Sequence, residues 1–437
     1  MGVTRPAKAP ASGSSAPGQP ARAAALALIR RALEEGAPLE DAALPAGLAG
    51  PERARALTLA RETLRWVGPV DAVLASLAER RPPEGALAIL RLAGTELLAL
   101  GEAPHAAVDA AVRLAKAEGE TARLSGFVNA VLRRTAAEGP EIWSALDLPR
   151  LATPDPLWRA LRADWGRDGA RAIAAAHLRP APLDLTPRDG NPEALAARLG
   201  GEALPGGSVR LERPGRITEL PGYAEGEWWA QDAAAAIPAR LAGKGEGRRA
   251  LDLCAAPGGK SMQLAAAGWR VTALDASEPR TERLRENLAR TGLAAEIVVA
   301  DALDWKAEPF DLVLLDAPCT ATGTIRRHPE LPHIRADLGV AEAAALQSRL
   351  LEAAFALTRP GGLLIYATCS LIRAEGEAQA NAFLRAHEDA AREAVTAEEA
   401  GDAAFITRAG DFRARPDFWP ERGGMDGFFA ARLRRRA

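Results

Sequence analysis

Apolar residues recur at intervals of three and four through residues 21–138, as at Ala106, Ala107, Ala110, Ala111 and Leu114, with almost no β-branched clusters. That period gathers the apolar positions on one face of each helix and predicts a small all-helical domain. Pro104-His105 marks one helix start, and Phe127, Val131 and Arg133-Arg134 close the domain as an amphipathic basic helix. Through 139–230, Pro and Gly punctuate short strands at 182–186 and 208–211 and a helix at 192–199, which predicts a small α+β connecting subdomain. From 231 to 437, apolar runs at 250–253, 270–274, 297–299, 310–315 and 363–366 alternate with helical periods such as 279–291 and 340–357. The alternation predicts a doubly wound, mostly parallel sheet, hence an α/β protein, with residues 427–432 adding an edge strand.

Composition narrows this picture without redirecting it. The 437 residues are 48% hydrophobic and 26% charged, as in an ordinary globular protein, and give room for two or three cores. A net charge of −2 supplies no general basic field, so any nucleic-acid affinity must reside in local patches. Three cysteines without C-x-x-C spacing and five scattered histidines argue against a disulfide framework and against a metal site. Residues 1–20 are rich in Ala, Pro, Gly and Ser without the apolar segment of a secretory signal, and no 18-residue apolar run suggests a membrane span. The expectation is a monomeric cytoplasmic protein with a disordered N-terminal tail.

Two of the three cysteines lie in Ala317-Pro318-Cys319-Thr320 and Ala367-Thr368-Cys369-Ser370, each just past an apolar run. Both thiols should emerge at carboxyl ends of parallel strands, where open α/β sheets bind ligands. A free Cys often serves as a small buried hydrophobe. Two at two strand ends favour chemistry.

The strand at 250–253 runs into Cys254-Ala255-Ala256-Pro257-Gly258-Gly259-Lys260-Ser261, a Gly-rich turn opening a helix. Gly259-Lys260-Ser261 matches the end of a P-loop, but the first glycine of that motif is Cys254 here. Asp275, Asp301 and Asp316 end successive strands, where three carboxylates would repel a triphosphate but suit a nucleoside, Asp275 at ribose hydroxyls and Asp301 at an adenine amino group. Without a spaced G-x-G-x-x-G, the implied cofactor is S-adenosylmethionine rather than NAD.

Asp252 through Lys260, Asp316-Ala317-Pro318-Cys319 and Thr368-Cys369-Ser370 resemble the signature blocks of the S-adenosylmethionine-dependent RNA (cytosine-5) methyltransferases, and Gly424-Met425-Asp426-Gly427-Phe428-Phe429 is similar to that family's last block. Pro104-His105-Ala106-Ala107-Val108 and the run from Phe127 to Arg133 resemble a NusB-like RNA-binding domain. The resemblance covers nearly everything after Ala21. It implies a Rossmann-like methyltransferase domain at 231–437, Cys369 as the thiol that attacks cytosine, and Cys319 as the thiol that helps release the methylated base. The helical domain points to 16S rRNA as substrate, with tRNA, or a non-catalytic RNA-binding role, as alternatives. Two departures stand out. Ala374-Glu375-Gly376-Glu377 lacks an Asn common in relatives, and Gln231-Asp232-Ala233-Ala234 has Ala where relatives often have Ser.

Carbon 5 of cytosine is too weak a nucleophile to take a methyl group until a thiolate adds at carbon 6, so the reaction requires covalent catalysis. Asp316 is placed to hydrogen-bond the cytosine edge, with a possible contact to the cofactor. Lys260 could lower a thiol's pKa, stabilise a negative ring, or simply be a solvated lysine. The target base must leave its stack, and Arg326-Arg327, Arg133-Arg134 and the terminal arginines are candidate phosphate clamps. Trp228 and Trp229 suit core packing better than base stacking.

Overall fold

The computed structural model describes residues 18–437 apart from 40–43, 46, 79–80, 118, 213–214 and 335–336. Most of the expected tail therefore lies outside the described residues, and Gln19 already begins the first helix. The chain forms two compact units, the first ending at Ala152 and the second starting at Thr153.

The first unit is helical: Gln19–Glu34, Gly50–Arg65, Val67–Leu77, Glu84–Leu98, Pro104–Ala117, Ser125–Ala145 and Leu148–Leu151. Its core is built largely from Ala and Leu, including Ala21, Ala25, Leu26, Ile29, Ala56, Ala60 and Leu90. Small side chains let the helices approach closely, and a Cβ on Gly94 would come within 2.8 Å of Val70. The buried Arg22–Glu96 pair, 2.8 Å apart, ties the first helix to the fourth. The last long helix runs through Pro140 to Ala145, so the break read at 139 falls inside a helix.

The second unit opens with the helix Asp155–His177, interrupted at Gly166, whose φ of 70° only glycine adopts readily. Four strands follow, β1 (Leu183–Pro187), β2 (Glu202–Ala203), β3 (Val209–Leu211) and β4 (Trp228–Ala230), in an antiparallel sheet ordered β2-β3-β1-β4 beside the helix Pro192–Leu199. This is the expected α+β element, and Trp228 and Trp229 are buried in it, in keeping with core packing.

The main sheet comprises β5 (Arg249–Leu253), β6 (Arg270–Asp275), β7 (Ala295–Val299), β8 (Phe310–Asp316), β9 (Thr358–Thr368), β10 (Ala390–Arg392), β11 (Phe412–Ala414) and β12 (Phe428–Arg435). Its order is β10-β12-β9-β8-β5-β6-β7, with β11 also on β12; β5 to β9 are parallel. Leu251, Leu253, Val313, Leu315, Leu364 and Tyr366 fill one side, and helices cover both faces, as a parallel sheet requires. The expectation that residues 427–432 form an edge is corrected: β12 lies inside the sheet, between β9 and the short strands β10 and β11. Phe428, Phe429, Ala430 and Ala431 are all buried, the continuous apolar pattern of an inner strand. Strand order reverses between β5 and β8, and the crevice at such a switch point is where α/β sheets take ligands.

Candidate active site

Cys319 and Cys369 follow β8 and β9, which pair in parallel with Asp316 opposite Ala367. In-register neighbours deliver both loops to the same corner, and the two sulfurs lie 3.4 Å apart. Both residues are half-buried, within reach of a ligand yet packed on one side. The hydrogen bond to Cys369, followed by burial, holds the Cys319 thiol well above its ordinary pKa. Either sulfur can act as the donor in this contact. Cys254, in contrast, has its pKa pushed up to about 12 by burial and by Asp316 and Asp275, so it is an inert thiol.

Beneath the thiols sits Glu375, fully buried. Its Oε1 accepts from the Thr320 amide (2.8 Å) and Gln347 Nε2 (3.1 Å), and its Oε2 from the hydroxyls of Thr320 (2.6 Å) and Ser370 (2.5 Å). Nothing in the apolar pattern pointed to this residue, because its partners come from three separate segments.

The Gly-rich loop brings Asp316 and Lys260 together, with Nζ 2.7 Å from Oδ2 and 4.8 Å from the Phe428 ring centre. Lys260 is buried, which removes the solvated reading and sets it on a carboxylate rather than a thiol. Ser261 Oγ donates to buried Asp252, whose pKa burial pushes up to about 7. With Lys260 and Ser261 both turned to carboxylates, the loop is not arranged to hold a triphosphate. Gly258, at φ 103°, leaves room that a side chain would lose, since a Cβ would sit 2.3 Å from Leu284. Ala255 and Ala256 are buried, Pro257 is exposed, and Gly259 starts the helix Gly259–Ala266. Asp275 accepts from the amides of Ala256 (3.1 Å) and Ser277 (3.0 Å), which shapes the loop while leaving acceptor sites on its oxygens. Asp301 is exposed beyond β7, with Oδ1 turned to the Leu303 amide at 2.9 Å. This acceptor-rich crevice fits an adenosine-bearing cofactor.

Of the proposed phosphate clamps, one pair requires correction. Arg326 is 2% exposed and donates to the Gly423 carbonyl, and Arg327 pairs with Asp232 (2.7 Å) and Asp426 (2.9 Å). The cluster extends through Asp184 to Arg210, which it holds bidentately at 2.7 Å. Burial works to raise the Asp232 pKa, and the charges of Arg327 and Arg326 override it and hold this carboxyl below its usual range. Arg326 and Arg327 thus join the post-Cys319 loop to the closing block, and carboxylates already satisfy the charge an RNA phosphate would need. Arg133 and Arg134 are exposed on their helix, Arg134 3.4 Å from Glu138.

No helix among the described residues is long and apolar enough to cross a membrane, and no group of His, Cys, Asp and Glu among them could hold a metal ion.

Residues 240–434 match the family described as 16S rRNA methyltransferase RsmB/F, and residues 19–137 match the NusB family. A relative named ribosomal RNA small subunit methyltransferase B, from Xanthomonas campestris pv. campestris, is 38% identical and aligns with 96% of this chain and 98% of its own length. Its namesake from Xylella fastidiosa is 41% identical over 79% of this chain and 80% of its own. The crystal structure titled PH0851 shares the fold over 96% of this chain and 99% of its own, with a TM-score of 0.73 at 23% identity. Full-length similarity at this level, on a methyltransferase sheet with a NusB-like helical region before it, makes the chain a member of the ribosomal RNA small subunit methyltransferase B family, RNA methyltransferases that use S-adenosylmethionine.

Proposed function

We propose that this protein methylates carbon 5 of a cytosine in 16S rRNA through a covalent bond between Cys369 and carbon 6 of the base. S-adenosylmethionine supplies a methyl group on a positively charged sulfur, and the loop 254–260 with Asp275 and Asp301 would hold it. Attack by the Cys369 thiolate opens the ring's 5,6 double bond and makes carbon 5 nucleophilic. Asp316, oriented by Lys260, hydrogen-bonds the cytosine edge and stabilises the adduct. Carbon 5 then takes the methyl group, its proton passes to a base, and the C–H electron pair re-forms the 5,6 double bond as Cys369 leaves as a thiolate, a release that Cys319 assists. The helical unit ending at Ala152 presents the RNA, with Arg133 and Arg134 on phosphates, the segment from Thr153 to residue 230 connects, and 231–437 perform the chemistry, in a cytoplasmic monomer.

The observation that carries this reading is the pair of half-buried sulfurs 3.4 Å apart at adjacent strand ends. Bisulfite mapping of 16S rRNA incubated with the protein and S-adenosylmethionine should locate one methylated cytosine. Cys369→Ala should abolish it, by on the order of 10⁴-fold or more, and Cys319→Ala should accumulate a protein–RNA adduct stable on a denaturing gel. Undiminished methylation by Cys369→Ala would remove the proposed nucleophile.

A further inference from the structure

We propose that Glu375 is a positioning residue for this reaction: its carboxylate ties the residue after Cys319 to the residue after Cys369 and so sets the separation of the two sulfurs. The inference rests on the two-thiol reading above. A carboxylate offers about four lone-pair sites, and Glu375 has four donors on them: the Thr320 amide, the Thr320 hydroxyl, the Ser370 hydroxyl and Gln347 Nε2. Fully buried and fully engaged, it has no capacity left for substrate. It acts through its neighbours.

Those neighbours determine the thiol geometry. Past Ala317, whose amide still bonds the Ala367 carbonyl, the two loops leave the ladder, and the next backbone bond between them runs from the Gly323 amide to the Cys369 carbonyl. Cys319 falls in the gap, where Glu375 binds both loops beside the direct contacts of Ser370 Oγ with the Thr320 (3.2 Å) and Thr322 (3.3 Å) hydroxyls. The clip itself is held from two further sides. Gln347, on the helix Val340–Ala356, also bonds the Pro318 carbonyl at 2.9 Å, and the Tyr366 hydroxyl donates to the Glu375 carbonyl at 2.5 Å. After the hydrogen bond with Cys369, burial and the Cys369 charge, the negative charge of Glu375 also acts to raise the Cys319 pKa. One side chain therefore bears on both the distance between the sulfurs and the location of the proton.

Two variants separate these effects. Glu375→Ala removes the clip, and a small displacement of reacting groups can reduce turnover by about 10²-fold; kcat should fall by that order while KM for RNA stays within about threefold. Glu375→Gln keeps the volume and removes the charge. In RNA-free full-length protein, alkylation by iodoacetamide followed by mass spectrometry should show the pH midpoint for Cys319 lowered by about one unit. A role confined to stability would reduce the folded fraction and leave that midpoint in place. An unmoved Cys319 midpoint in Glu375→Gln overturns the proposal, as does wild-type kcat in Glu375→Ala; should Glu375→Ala not fold, the Gln variant decides alone. The alkylation readout needs no turnover, so failure of the Cys369 mechanism, seen as full methylation by Cys369→Ala, is distinguishable from failure of the clip.

Discussion

Two arginine pairs in this chain have the same dipeptide and opposite circumstances. Arg133-Arg134 stands exposed on a helix of the first unit, while Arg326-Arg327 is folded into a cluster with Asp184, Asp232 and Asp426. Local sequence makes both look like nucleic-acid contacts. The difference lies in carboxylates about 95 to 100 residues away along the chain, Asp232 and Asp426, which the fold brings onto Arg327. A basic run is a binding patch only if folding leaves its charge uncompensated.

The sharpest way to break this contrast is Arg327→Ala. It removes the hydrogen-bonded partner of two buried carboxylates, and removing one partner of a buried pair costs about 3–5 kcal/mol; urea unfolding should show that loss, while Arg133→Ala should stay within about 0.5 kcal/mol of the wild type. Asp252 sharpens the comparison as a buried acid without an arginine partner. Its folded pKa of about 7 lies above its ordinary value of 3.8, so its contribution is complete below pH 4 and is lost as pH rises through 7. Asp252→Asn should therefore lack a decline of a few kcal/mol in unfolding free energy between pH 4 and pH 8. The smallest effect belongs to the exposed pair. Arg133→Ala with Arg134→Ala should weaken RNA binding and lower the salt slope of log K by about one for each phosphate no longer neutralised, measured by fluorescence anisotropy at several salt concentrations.

The thiol corner shows how far sequence reasoning reached. Apolar runs ending just before Cys319 and Cys369 placed both at strand ends, and parallel pairing of β8 with β9 brings the sulfurs into contact. Glu375 gave no such signal. Its partners Thr320, Gln347 and Ser370 come from different segments, and a buried acid among Ala and Gly has no period to betray it. Lys260 was legible as a residue of the Gly-rich turn but not as the partner of Asp316, 56 positions away. Residues 427–432 were legible as a strand, and their place inside the sheet was not, because β10 and β11 are only three residues long each.

Sequence alone determined the helical first unit, the alternating α/β second unit and the strand ends that carry the thiols, because hydrophobic period and turn residues act over a few positions. Tertiary structure decided which charges are free, which carboxylate holds the thiol loops, and which strand is internal. Those depend on groups far apart in the chain that meet only when burial makes an unpaired charge or an open hydrogen bond too costly to leave.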